Sequence, residues 1–166
     1  IPHDTVPGIV AIMNEDNAIK INKIKKRDHN KGFIILIPNL TFLNSLTQNI
    51  SKETQKIIAT HWPGPLTIIF KKKPTISSII TGHKTTIAIR FPQHKLLNEL
   101  LNEVNAPLIS TSANISGTES ISKELNKNID FNYESLEKSF DNKASTIIDG
   151  TLQPVKVIRE GLIKIN

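Results

Sequence analysis

The sequence has 166 residues, of which 38% are hydrophobic and 22% charged, and its formal net charge is +6. This length and composition favour a single globular domain, 1–166, and the positive charge favours an anionic partner. No apolar run approaches the roughly 20 residues that span a bilayer, no signal peptide is recognisable, and the lack of cysteine excludes disulfides and thiolate sites. We therefore expect a cytoplasmic protein without membrane contact.

The first part of the chain predicts a helix that ends in a basic cluster. Asn14 is a suitable N-cap, and apolar residues then recur at helical spacing at Ala18, Ile21 and Ile24. The helix closes on four cations: Lys23, Lys25, Lys26 and Arg27. The apolar run 33–37 that follows indicates a buried strand. Cations in a last turn often only complement the helix dipole, but a basic loop at a sheet edge is also a common phosphate site.

The middle of the chain predicts three helices and three strands. The helices are expected at 40–46, 51–60 and 96–104, and the strands at 66–70, 85–90 and 107–109. In the run 61–67 two prolines flank a glycine, which predicts a rigid corner beside the single tryptophan. Arg90 ends its strand just before Phe91 and Pro92, so it is placed either to clamp a carboxylate or to form a surface ion pair.

The run 110–117, Ser-Thr-Ser-Ala-Asn-Ile-Ser-Gly, is the most informative stretch. We expect a polar loop here, directly after the strand 107–109. Its hydroxyl, amide and backbone N–H groups can hold a phosphate or a carboxylate, although the same residue types are usual in a turn with a helix cap. The remaining chain predicts short helices at 122–127 and 133–140, a strand and turn at 144–150, and a final strand and bend at 155–165.

Several common ligand motifs are absent from the sequence. It contains no P-loop, no G-x-G-x-x-G and no G-x-S-x-G elbow, and its five histidines are scattered without metal-ligand spacing. ATP would therefore not be bound in the P-loop manner.

The motifs, taken in order, resemble the YrdC family, the threonylcarbamoyl-AMP synthases, over essentially the whole chain. They are Pro-x-Asp-Thr-Val-x-Gly from Pro2, Lys25-x-Arg27, Lys31-Gly32, Trp-Pro-Gly-Pro-Leu-Thr from Trp62, Ala-Ile-Arg from Ala88, the run 110–117, Ser-Thr-Ile-Ile-Asp from Ser145, and Arg-Glu-Gly from Arg159. The resemblance implies an α/β fold in which a twisted mixed β-sheet, flanked by helices, surrounds a deep positively charged cavity. The Lys-Gly start of the second strand is most similar to the short bacterial form.

The resemblance also implies a reaction. L-threonine, bicarbonate and ATP would give threonylcarbamoyl-AMP and pyrophosphate, which makes the chain an ATP-dependent nucleotidyltransferase without a protein nucleophile. Mg²⁺ is expected to arrive with ATP, held by phosphates and water. A downstream threonylcarbamoyl-transferase complex would then pass the group to the adenosine beside the anticodon of tRNA.

The family's functional residues can be carried over by position. Those implied at ATP are Lys25, Arg27, Ser112, Asn114, Ser120 and Arg159, with Lys25 and Arg27 neutralising phosphate charge. Those implied at threonine are His3, Arg90, Ser110 and Ser145. The first motif departs from the family pattern, because His3 stands where threonine is usual and Pro7 where an aromatic residue is usual.

A second function stays open beside the synthase. A divergent relative without synthase activity would bind nucleotide, tRNA or double-stranded RNA through its positive face. His3, Pro7 and the net charge motivate this alternative.

Overall fold

The computed structural model describes residues 1, 5, 8–112 and 143–165, which contain seven strands. They are β1 (Gly8–Ile12), β2 (Ile34–Leu36), β3 (Leu66–Lys71), β4 (Thr86–Arg90), β5 (Leu108–Ser112), β6 (Thr146–Asp149) and β7 (Lys156–Arg159). All seven form one sheet in the order β1-β5-β2-β4-β3-β6-β7. The pairs β2–β4 and β3–β6 are parallel and the other four pairs are antiparallel, so the predicted mixed sheet is confirmed.

Five helices surround this sheet within the described ranges. They are α1 (Glu15–Ile24), α2 (Leu43–Leu46), α3 (Lys52–His61), α4 (Ser78–Thr81) and α5 (Lys95–Val104), and a 3₁₀ turn, Leu40–Phe42, precedes α2. The predicted caps are confirmed, because the Asn14 side chain accepts from the Asn17 N–H at 2.8 Å and the Ser51 hydroxyl from the Thr54 N–H at 3.1 Å. The helices predicted at 122–127 and 133–140 lie outside the described residues. None of the described helices is long and apolar enough to cross a membrane.

The two faces of the sheet have different environments, because successive side chains of a strand point to opposite faces. One face carries fully buried isoleucines: Ile35, Ile68, Ile89, Ile109 and Ile148. They belong to the main core together with residues of α1 and α3. On the other face, Leu97 and Leu101 of α5 pack with Leu36 and Leu108 in a second, smaller cluster. This smaller cluster occupies one part of the second face.

The expected loop beginning at residue 110 is wrong for its first three residues. Ser110, Thr111 and Ser112 are the last residues of β5, and they pair with β1 from Val10 to Gly8. β1 is the partner strand that keeps these polar residues extended. Residues 113–117 lie outside the described residues.

The predicted corner at 61–67 is confirmed as a packed structural element. Trp62 is buried, its indole N–H donates to the Leu66 carbonyl at 2.7 Å, and its ring meets Phe70 edge to face at 6.2 Å. The Gly64 N–H donates to the Phe91 carbonyl at 2.8 Å. The corner thereby joins the start of β3 to the residue that follows β4.

A left-handed glycine supports the loop that follows α1. Gly82 has φ of 62° at the end of α4, and a Cβ there would lie 2.5 Å from the Asn30 carbonyl oxygen and the Gly32 nitrogen. The Phe33 N–H also donates to the Ile80 carbonyl at 3.0 Å. The basic loop 28–32 therefore rests on the end of α4.

Replacing Gly82 with alanine should lower the free energy of unfolding by roughly 1–3 kcal/mol, because the new Cβ adds left-handed strain and a backbone clash. Urea denaturation measures this change. His83 is a matched control, since it is exposed and also has a positive φ of 60°. Its replacement by glycine relieves strain, so we expect a change below about 1 kcal/mol. Equal losses in both variants would contradict the role assigned to Gly82.

Candidate functional site

A cavity of about 360 Å³ lies on the sheet face that α5 partly covers. Its floor is made by alternate residues of adjacent strands: Ile34, Leu36, Ile69, Ala88 and Ile147. Seven hydroxyl side chains line it: Thr5, Thr81, Thr86, Ser110, Thr111, Ser112 and Ser145. Four cations line it as well: Arg27, Lys84, Arg90 and Arg159. No carboxylate lines the cavity among the described residues, so the lining favours an anionic ligand.

Arg90 is a buried arginine at the end of β4. Its side chain is 3% exposed, and its Nη1 donates to the Thr5 hydroxyl at 2.9 Å. Of the two roles open from the sequence, a surface ion pair is ruled out by this burial. A guanidinium that lines a cavity of low dielectric constant attracts a carboxylate strongly and can bind it with two parallel hydrogen bonds.

The end of β5 brings hydroxyl groups to the cavity. Ser110 is 7% exposed and lies between Val10 of β1 and Ile34 of β2. Ser112 is on the same face two residues later and is exposed. One strand therefore presents two hydroxyls at different depths.

Lys25 lies next to this strand end rather than among the described lining residues. Its ammonium donates to the Thr111 hydroxyl at 3.0 Å and to the Ser112 carbonyl, and the residue is 2% exposed. Burial, and then the nearby charges of Arg27 and Lys31, lower the pKa of Lys25 to about 8. Lys25 fixes the end of β5 and adds positive charge beside it.

Arg27 is held in place by the basic loop. Its Nη2 donates to the Gly32 carbonyl at 2.7 Å, and its guanidinium carbon lies 4.7 Å from the centre of the Phe33 ring. Nη1 is buried and has no hydrogen-bond partner among the described residues. Burial lowers the pKa of Arg27, but a guanidinium stays charged at neutral pH. Arg27 lines the cavity, so its charge can attract an anion there.

Ser145 and Arg159 form one unit. The Arg159 side chain donates to the Ser145 carbonyl from Nε at 3.1 Å and from Nη2 at 2.8 Å, and Nη2 also reaches the Ser145 hydroxyl at 3.2 Å. Burial lowers the pKa of Arg159 as well. Gly161 makes this possible, because a Cβ there would overlap the Ser145–Thr146 peptide. The two residues implied at different substrates are thus in direct contact.

Seven of the ten residues implied as a site are described by the structure. Six of them line one cavity: Arg27, Arg90, Ser110, Ser112, Ser145 and Arg159. Lys25 donates hydrogen bonds to two of the lining residues, Thr111 and Ser112. His3, Asn114 and Ser120 lie outside the described residues.

Sequence reasoning missed several lining residues. Thr86 could have been found, because it alternates with Ala88 and Arg90 along one strand. Thr81 and Lys84 carry no sequence pattern that separates them from other surface residues. No group of three metal-ligating side chains comes together within the described ranges.

Two relatives are similar in sequence to this chain over nearly all of its length. A threonylcarbamoyl-AMP synthase from Pyrococcus abyssi is 33% identical over 96% of this chain and 49% of its own length. A second relative, from Methanocaldococcus jannaschii, carries the same name with the qualifier "putative". It is 38% identical over 98% of this chain and 78% of its own length. The chain thus spans about half the length of the first of these relatives.

A solved structure and a family model match the same span. The crystal structure of P. abyssi Sua5 complexed with L-threonine aligns with a TM-score of 0.85 and 30% identity, covering 96% of this chain and 49% of that one. The family model Sua5_yciO_yrdC, described as "Telomere recombination", matches residues 1–161. With this match across nearly all of its length, the chain belongs to the Sua5/YciO/YrdC family.

Proposed function

We propose that this chain catalyses threonylcarbamoyl-AMP synthesis from L-threonine, bicarbonate and ATP, with pyrophosphate as the second product. The observation that carries the proposal is the lining of the cavity. It contains the buried Arg90 guanidinium, the Arg27 and Arg159 cations and several hydroxyl groups, and no carboxylate among the described residues. A relative with this name and a relative's structure complexed with L-threonine support it.

The chemistry requires two bond-forming steps. The amine nitrogen of threonine attacks carbon dioxide derived from bicarbonate and loses a proton, which gives a carbamate. A carbamate oxygen then attacks the α-phosphorus of ATP, and the bond to the bridging oxygen breaks as pyrophosphate leaves. Such a transfer depends on positioning and on neutralising charge rather than on a protein nucleophile.

The cavity residues suit these steps. Arg90 would bind the threonine carboxylate, with Ser110 and Ser145 beside it. Arg27 would neutralise the triphosphate, and Lys25 would add charge from the end of β5. Ser112 and the Nη1 group of Arg159 would contact the nucleotide, because Nε and Nη2 are already bonded to Ser145.

Three of the implied site residues lie outside the described residues and belong to the proposal. His3 would be at threonine, and Asn114 and Ser120 at the nucleotide. Mg²⁺ would enter as part of the ATP substrate. A threonylcarbamoyl-transferase complex acting on tRNA would consume the product, which fits a protein of the cytoplasm.

Pyrophosphate release tests the function directly. The chain with ATP, Mg²⁺ and bicarbonate should release pyrophosphate only when L-threonine is added. ATP binding without pyrophosphate release at saturating threonine would contradict the synthase and favour a nucleotide- or RNA-binding relative without this activity.

Replacing Arg90 with alanine should raise the KM for threonine roughly 10- to 150-fold, the range expected for a lost charge-assisted hydrogen bond. Arg90→Lys should recover only part of this loss, because lysine keeps the charge but not the planar fork. Lys71→Ala is the matched control, since it removes an exposed cation that does not line the cavity. A wild-type KM in Arg90→Ala would exclude the carboxylate role.

ATP affinity should fall as the pH rises through about 8, because Lys25 loses its charge there and only its protonated form attracts phosphate. We expect a loss of roughly 3- to 10-fold between about pH 7.5 and about pH 9.5, measured by calorimetry. Lys25→Arg keeps its charge over this range, so its ATP affinity should change less than about 2-fold. The same slope in both proteins would assign the titration to another group.

A further inference from the structure

Thr67 is a buried hydroxyl residue that the proposed reaction does not use. It closes the Trp-Pro-Gly-Pro-Leu-Thr motif, lies in β3 and is 0% exposed. Its hydroxyl oxygen lies 2.9 Å from the Ser145 hydroxyl oxygen, and it has no other hydrogen bond from its side chain among the described residues. The one described hydrogen bond of the Thr67 side chain is therefore made to a residue that lines the cavity.

The direction of the hydrogen bonds around Ser145 follows from the donors available. Arg159 has no acceptor atom, so the Ser145 hydroxyl oxygen must accept from its Nη2 at 3.2 Å. The Thr67 hydroxyl is fully buried, and Ser145 is the only described acceptor within its reach. A buried hydroxyl hydrogen without an acceptor is unfavourable, so Thr67 donates to Ser145.

Ser145 then accepts two hydrogen bonds, which occupy both lone pairs of its hydroxyl oxygen. Its own hydrogen cannot point toward either donor. Since Ser145 lines the cavity, that hydrogen points to the ligand space. If the bond ran the other way, the Ser145 hydrogen would be taken up by Thr67 and Ser145 could not donate to a ligand.

We propose that Thr67 is a positioning residue that fixes the Ser145 hydroxyl as a hydrogen-bond donor, so that the ligand group opposite Ser145 is an acceptor oxygen. This inference rests on the proposed function and sharpens it. The group facing Ser145 is a carboxylate, carbamate or hydroxyl oxygen of the amino-acid substrate. The protonated amine of threonine, which can only donate, does not fit this position.

Calorimetric titration with L-threonine tests the inference in the full chain. Thr67→Val, nearly isosteric, should weaken threonine binding by about 2- to 12-fold, the effect of one neutral hydrogen bond. Thr67→Ser keeps the donor and should stay within about 2-fold of the wild type. In a Ser145→Ala background, Thr67→Val should change the affinity by less than about 2-fold, because Thr67 acts only through the missing hydroxyl.

Three results in the variants would overturn the inference. Tighter threonine binding in Thr67→Val would mean that Thr67 had accepted the Ser145 hydrogen, and unchanged binding would mean that its donation does not matter. An equal loss with and without Ser145 would show a general packing effect, and thermal unfolding of each variant separates that effect from misfolding. If the wild type neither binds threonine nor releases pyrophosphate, the proposed function fails first and this inference fails with it.

Discussion

The alternation of side chains across the sheet is the constraint on which this structure depends. Five strands, β2 to β6, direct one set of residues into a core of fully buried isoleucines and the intervening set toward a second face. Because α5 covers only part of that face, apolar floor residues, hydroxyls and cations can occupy neighbouring positions on single strands. In β4, Ile87 and Ile89 face the core, while Thr86, Ala88 and Arg90 face the cavity.

The chemistry of the site depends on how its cations are held. Lys25 and Arg27 are bonded to backbone carbonyls, and Arg90 and Arg159 to hydroxyl or carbonyl oxygens. Neutral oxygen atoms orient a cation without cancelling its charge. Arg27 and Arg159 are therefore fixed in position with their charge available to an anion, which is the preorganisation that phosphoryl chemistry needs.

Local patterns predicted the parts of the fold whose causes are local. Asn14 and Ser51 were recognisable as caps because the bond that each makes spans three residues. The corner at Trp62 was recognisable from its prolines. The strand through Ser112 was not, because its extended form depends on pairing with β1, about a hundred residues earlier.

The same distinction applies to the site. Arg90 could be selected because it stands alone at a strand end, and motif order added Lys25, Ser145 and Arg159. Sequence could not reveal that Arg159 bonds to Ser145, or that Thr67 lies behind it, since these contacts join three separate strands or strand ends. Lys84 lines the cavity because the tertiary fold places the turn after α4 beside it, which no local pattern predicts.

The edge position of β7 has a consequence for Arg159. Among the described strands β7 pairs with β6 alone, its four residues are exposed, and the pairing is irregular beside Ile147. An outermost strand can separate from its neighbour without disturbing the rest of the sheet. Arg159 therefore holds Ser145 from the least supported of the described strands, whereas Arg90 lies on β4, which has a partner strand on each side.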